Sequence, residues 1–213
     1  MKANTVIFDL DNTIYSESDY FHCVFNQFCN TNKIDFQIFE FLFENFDYYR
    51  FNKKDIFKFA LEEVNLFNET YHNQLFQLFV SIKCSINPYS GIKEWFEYCL
   101  KNNFKIAVLT NGIILAQKNK WNCLNLANKN KCHFVPARTF QNEKPSLDAF
   151  EGILNQLNAK WEQCIFVGDR YENDLEQGLE NGGFGILIGS ESKHKNVRAF
   201  PTIQDALNYF QTL

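Results

Sequence analysis

The sequence predicts an α/β fold, a doubly wound parallel sheet with an inserted helical segment, and three observations predict it. Short apolar runs rich in Val, Ile and Phe recur at Thr5–Phe8, Lys105–Thr110, 132–135, 164–167 and 185–188. Each has strand length, and their continuous rather than alternating apolar character suits strands covered on both faces. Helical spacings separate them over Ile92–Lys101, 113–124, 146–157 and 174–181, and a strand–helix alternation of this kind builds a parallel sheet. The third observation is a break in that rhythm between the first and second strands.

From Ser16 to Cys84 no strand pattern occurs, while Phe, Leu and Ile recur at helical intervals, as in Phe21, Phe25 and Phe28 or Ile56, Phe59 and Val64. The spacing predicts four or five helices there, and so a division into an α/β core (1–15 and 85–213) and a helical unit (16–84). That unit holds more than half of the chain's 24 phenylalanines, which reads as a small helical core burying a large area per residue. Within it, residues 48–54 (Tyr-Tyr-Arg-Phe-Asn-Lys-Lys) supply cations and aromatics able to meet a ligand, although a solvated helix face is the simpler reading. After the last strand, Pro201-Thr202-Ile203 opens a Thr-capped helix that packs back on the sheet.

Composition narrows the function classes. The 213 residues suffice for one sizeable core plus an insertion. A net charge of −4 gives no basic field for a phosphate backbone, so no nucleic-acid partner is expected. No apolar run approaches the roughly 20 residues of a membrane span, and Asp9 and Asp11 interrupt any signal-peptide pattern. A cytoplasmic protein is expected. The seven cysteines are scattered without a Cys-x-x-Cys pair, so they read as reduced thiols rather than a disulfide framework or a zinc site.

In open α/β sheets ligands bind beyond the carboxyl ends of the strands, and the residues there carry the chemistry. The first strand runs into Asp9 and Asp11, the second into Thr110-Asn111-Gly112, and the fourth into Gly168-Asp169 with Asp174 following. Lys144-Pro145 opens the helix between the third and fourth. Side chains two apart on an extended segment point the same way, so Asp9 and Asp11 share a pocket that Asp169 can also reach. Unpaired, such a cluster repels itself and takes up protons. A hard divalent cation with oxygen ligands, Mg²⁺, resolves the conflict. Thr110 and Lys144 add donors suited to a phosphoryl dianion. One carboxylate is then placed to attack phosphorus and the other to move a proton. Taken singly, each motif also reads as turn or capping residues; their coincidence at successive strand ends favours a site.

Phe8-Asp9-Leu10-Asp11-Asn12-Thr13, Thr110-Asn111-Gly112, Lys144-Pro145 and Gly168-Asp169 with Asp174 occur in the order of four motifs of the haloacid dehalogenase superfamily, and the chain resembles its phosphatases. The resemblance implies a Rossmann-like core with a helical cap inserted after the first motif. Residue by residue it implies Asp9 as nucleophile and metal ligand, and Asp11 as general acid/base that ligates metal through its backbone carbonyl. Thr110, Lys144 and the backbone N–H of Asn111 would hold the phosphoryl group. Asp169 would bind Mg²⁺, and Asp174 would support Lys144 or metal-bound water. A carboxylate at Asp11 matches phosphatases and phosphomutases, whereas dehalogenases of this type lack one there. Arg170-Tyr171 departs from the small residue common after Gly-Asp, and Arg170 is either a substrate contact or a solvated side chain.

The expectation is a Mg²⁺-dependent phosphatase of a small phosphorylated metabolite (a sugar phosphate, sugar-acid phosphate or nucleotide), working through an aspartyl-phosphate. A β-phosphoglucomutase-type mutase is the nearest alternative. From another class, a receiver domain pairs acidic residues with Thr and Lys around Mg²⁺ but needs no helical insertion, and a silent binding module would have lost a catalytic position.

Overall fold

The computed structural model describes residues 3–189 and 197–213. Its centre is one sheet of β1 (Thr5–Phe8), β2 (Lys105–Thr110), β3 (His133–Pro136), β4 (Cys164–Gly168), β5 (Phe184–Ile188) and β6 (Arg198–Phe200). The strands lie in the order β3-β2-β1-β4-β5-β6, with every neighbouring pair parallel. The strand order reverses at β1, so its carboxyl end, between those of β2 and β4, is the crevice where such sheets take ligands.

Continuous apolar strands are buried on both sides, and alternate residues divide between two cores. Val6, Phe8, Ile106, Val108, Ile165 and Val167 face one; Ile7, Ala107, Leu109 and Phe166 face the other, against Phe150, Ile153 and Leu157 of α8 (Leu147–Leu157). The first core takes Trp95 and Phe96 from α6 (Ile92–Lys101) and Leu207 and Phe210 from α10 (Ile203–Phe210). The expected Thr cap of α10 is present, Thr202 Oγ1 accepting from the Asp205 amide at 3.2 Å. Sequence periodicity overlooks β6, because a three-residue edge strand with one partner is too short to display a period.

Between β1 and β2 the chain forms α1 (Glu17–Asn32), α2 (Glu40–Glu44), α3 (Phe46–Asn52), α4 (Ile56–Glu63) and α5 (Glu69–Ser81). Tyr20, Phe21, Val24, Phe25 and Phe28 form the buried face of α1, the i, i+4 stripe its sequence displays. Their partners are mainly aromatic: Phe21 lies 5.1 Å from Phe46, 5.6 Å from Phe57 and 5.2 Å from Phe79. Phe25 meets Phe39 at 5.0 Å and Phe28 meets Tyr71 at 5.2 Å. Asp55 and Asn68 cap α4 and α5 through amide hydrogen bonds. This aromatic core is continuous with the first core of the sheet.

The cysteines are free thiols. No helix among the described residues is long and apolar enough to cross a membrane.

Phe21 contacts three other rings while almost fully enclosed, so Phe21→Ala is expected to cost about 3–5 kcal/mol. Urea unfolding would read this as a lowered midpoint at unchanged slope; a loss below about 1 kcal/mol would contradict close packing of the helical unit.

Candidate active site

β1 delivers Asp9 to the centre of the crevice, its amide donating to Val167 O of β4 at 2.8 Å. The chain then turns tightly. Asn12 adopts a left-handed φ of 60°, which Asn tolerates, and its amide donates to Tyr15 O at 2.8 Å. Its side chain accepts from the Glu17 amide at 2.9 Å, closing the first turn of α1. Thr13 is buried with its hydroxyl unpartnered.

The residues singled out from sequence converge. Lys144 Nζ sits 2.6 Å from Asp9 Oδ1 and 2.7 Å from Asp174 Oδ1, with its side chain 3% exposed. The Asn111 side chain fixes the Lys144 backbone in both directions, accepting from its N–H and donating to its C=O, each at 2.8 Å. This side-chain role is additional to the backbone contact that the resemblance implies for Asn111. The Gly112 amide donates to Glu143 Oε1 at 2.6 Å.

The helix expected over 174–181 begins later than the sequence suggests. A wide turn spans Tyr171–Leu175 and leads into α9 (Glu176–Glu180). Such turns occur at functional positions. This one returns Asp174 toward Lys144 while Asp174 Oδ2 accepts from the Arg170 amide at 3.1 Å. A Cβ on Gly168 would lie 2.3 Å from Asp174 Cβ, so glycine is what allows this approach.

Asp9, Asp169 and Asp174 each place a carboxylate oxygen within 4.8 Å of the others. Burial raises the Asp9 pKa well above the usual carboxylate range, Lys144 opposing and Asp174, Asp169 and Asp11 adding to the rise. Burial, with Asp174 beside it, lifts Asp169 to about 7. Lys144, and Arg170 beside Asp169, therefore under-compensate three clustered carboxylates. The deficit and the all-oxygen donor set fit a hard divalent cation.

Asp11 lies in a different environment two residues away. Tyr15 Oη donates to its Oδ1 at 2.6 Å, while Gln117 Nε2 at 2.9 Å and Lys120 Nζ at 2.8 Å donate to its Oδ2. Burial pushes its pKa up, but the Lys120 charge and these hydrogen bonds pull it below the usual value. Its carboxylate stands outside the Asp9–Asp169–Asp174 group.

Sequence reasoning missed Gln117 and Lys120. Both lie on α7 (Ile114–Cys123), whose buried residues Ala116, Gln117, Lys120 and Trp121 mix polar with apolar. A Gln and a Lys three apart on an otherwise apolar helix face were the available signal. Gly112, at φ 120°, makes room for Gln117: a Cβ there would meet Gln117 Nε2 at 2.8 Å.

Asp9, Asp11, Asn111, Gln117, Lys144, Asp169 and Asp174 line a cavity of about 300 Å³ that also includes Thr110. Its outer wall comes from Asp47, Arg50 and Phe51 of α3 and from Arg170 of the turn after β4. The Arg170 guanidinium lies 3.7 Å from the Phe51 ring centroid. Of the candidate stretch 48–54, Arg50 and Phe51 thus reach the cavity, whereas Tyr48 is 63% exposed and Lys53 stacks on Phe59 at 4.1 Å.

Comparison with known proteins bears on the family and the fold. A profile described as haloacid dehalogenase-like hydrolase matches residues 6–188. Pyrophosphatase PpaX of Halalkalibacterium halodurans is 25% identical over 210 residues, covering 89% of this chain and 85% of the relative. Glyceraldehyde 3-phosphate phosphatase of Methanothermobacter thermautotrophicus is 26% identical over 126 residues, covering 57% of this chain and 50% of the relative. YfnB of Bacillus subtilis, solved with magnesium bound, superposes with a TM-score of 0.69 at 12% identity, over 98% of this chain and 99% of that one. A profile match running from Val6 in β1 to the end of β5, and so across every motif between them, places this chain among the haloacid dehalogenase-like hydrolases.

Proposed function

We propose that the protein is a Mg²⁺-dependent phosphatase that cleaves a phosphomonoester of a small metabolite through an aspartyl-phosphate on Asp9. The observation that carries this reading is the division of labour between two carboxylates two residues apart. Asp9 sits with Lys144 in a cation-hungry cluster, whereas Asp11 is held by three donors and kept out of it. Two nearby carboxylates in different environments can take different parts in one reaction, and a divalent cation bound beside Asp9 would hold it ionised as a nucleophile.

In this reading Asp9 Oδ attacks phosphorus and the bond to the leaving oxygen breaks, Asp11 delivering a proton to that oxygen. Asp11 then takes a proton from the water that attacks the aspartyl-phosphate, which releases inorganic phosphate and restores Asp9. Lys144 and the Thr110 hydroxyl bear on the phosphoryl oxygens, and Asn111 keeps Lys144 in register through its two backbone hydrogen bonds. Asp9, the Asp11 backbone carbonyl and Asp169 would hold Mg²⁺, with Asp174 supporting Lys144. The ion, when bound, neutralises charge at the transferring phosphoryl group.

The cavity of about 300 Å³ supports a small leaving group. Residues 16–84 then act as a cap, since α3 supplies the cavity's outer wall. The phosphatase and pyrophosphatase names of the two sequence relatives support phosphoryl chemistry, and the magnesium in YfnB supports the choice of ion.

Asp9→Asn is expected to lower Mg²⁺-dependent phosphate release by at least about 10³-fold, roughly 4 kcal/mol of barrier, without unfolding the protein. Malachite-green detection over a panel of sugar phosphates, acylated sugar-acid phosphates, nucleotides and pyrophosphate measures it. Retention of activity would remove Asp9 as nucleophile. Stripping divalent ions with EDTA should abolish release and added Mg²⁺ restore it, whereas undiminished turnover in the chelated enzyme would refute metal dependence.

A further inference from the structure

Lys120 is 1% exposed, and its ammonium binds two carboxylates, Asp11 Oδ2 and Glu17 Oε1, each at 2.8 Å. Glu17 in turn receives Arg50 Nε at 3.1 Å and Nη2 at 3.3 Å. The four groups form a chain of alternating sign, Asp11–Lys120–Glu17–Arg50. It starts at the proposed proton-transfer group and ends on α3 at the outer wall of the cavity.

A buried ion pair often contributes no more to stability than apolar residues of the same volume. The Tyr20 and Phe79 rings also flank the Lys120 ammonium, 5.7 Å and 5.4 Å away. What an apolar side chain could not supply is a charged donor aimed at Asp11. Gln117, one turn earlier on α7, donates to the same oxygen, and Tyr15 holds the other. The carboxylate is therefore fixed from behind by α7 and from the side by the loop after β1, while Asp11 still lines the cavity.

We propose that Lys120 is a positioning residue for Asp11, and that through Glu17 and Arg50 it ties the placement of that carboxylate to the seating of α3 on the cavity. The inference rests on the reading of Asp11 as the proton-transfer group. Proton transfer requires a heavy-atom approach within hydrogen-bond reach of the leaving oxygen, and small misplacements of a reacting group are costly. Lys120 thus acts through Asp11 from outside the cavity lining, whereas Glu17 and Arg50 belong to that lining.

The test is a mutant cycle on an alkyl phosphate. Lys120→Met leaves Glu17 and Asp11 with an excess of buried negative charge, so the charge-balanced Lys120→Met/Glu17→Gln variant accompanies it as a folding control. Either variant, if folded by thermal unfolding, is expected to lower kcat by about 10²-fold, the usual scale of general acid–base assistance, with KM changed less than about 3-fold. In an Asp11→Asn background the same substitutions should cause less than about 2-fold further loss, because groups acting through one another are non-additive.

Equal losses in both backgrounds, or no loss in either, would overturn the proposal. A crystal structure of Lys120→Met/Glu17→Gln is read independently of turnover. Displacement of the Asp11 carboxylate from Tyr15 and Gln117 supports the positioning role, and an unmoved carboxylate defeats it. Absence of phosphate release by the unmodified enzyme across the panel would reject the phosphatase reading, and that structure would still decide whether Lys120 positions Asp11.

Discussion

Two buried ammonium groups hold the site together, each set between a pair of carboxylates. Lys144 spans Asp9 and Asp174, and Lys120 spans Asp11 and Glu17. Removing one partner of such an arrangement typically costs about 3–5 kcal/mol, because an uncompensated charge is left behind. The arrangement also separates neighbours in sequence. Asp9 is driven up by burial among carboxylates, whereas the donors around Asp11 outweigh burial and bring it down. Like charges two residues apart therefore enter unlike environments.

Backbone geometry makes this charge pattern possible. The order β3-β2-β1-β4-β5-β6 puts the ends of β2, β1 and β4 side by side, so Thr110, Asp9 and Asp169 meet without long excursions of the chain. Two glycines then admit side chains that would otherwise collide: Gly168 makes way for Asp174, and Gly112 for Gln117. Asn111 uses its whole amide group to hold the backbone of Lys144, and Asp9 and Asp174 direct its ammonium.

The helical insertion contributes by area and by reach. Its rings pack on one another and onto the sheet, which gives α1 and α3 a firm seat. From that seat Arg50 meets Glu17 and Phe51 meets Arg170, so α3 is joined to α1 by an ion pair and to the turn after β4 by a cation–aromatic stack. The Arg170 side chain, ambiguous as sequence, belongs to that wall.

The sequence by itself determined the α/β class, five of the strands and the helical character of 17–81, and it pointed to Asp9, Asp11, Thr110, Asn111, Lys144, Asp169 and Asp174 as candidates, which the fold gathers around one cavity. Those features were legible because strand burial and helix amphipathicity are written in local periods, and because strand ends in such a sheet share one edge. β6 was not legible, since a short edge strand shows no period. The late start of α9 was not either, because the wide turn before it is held by Asp174 pairing with Lys144, 30 residues away. Only tertiary structure decided that Lys120, 109 residues from Asp11, would lie against it and so hold the two adjacent aspartates apart in charge. A buried lysine and a solvated one look alike in sequence, and what distinguishes them is the set of carboxylates that the fold brings around the ammonium.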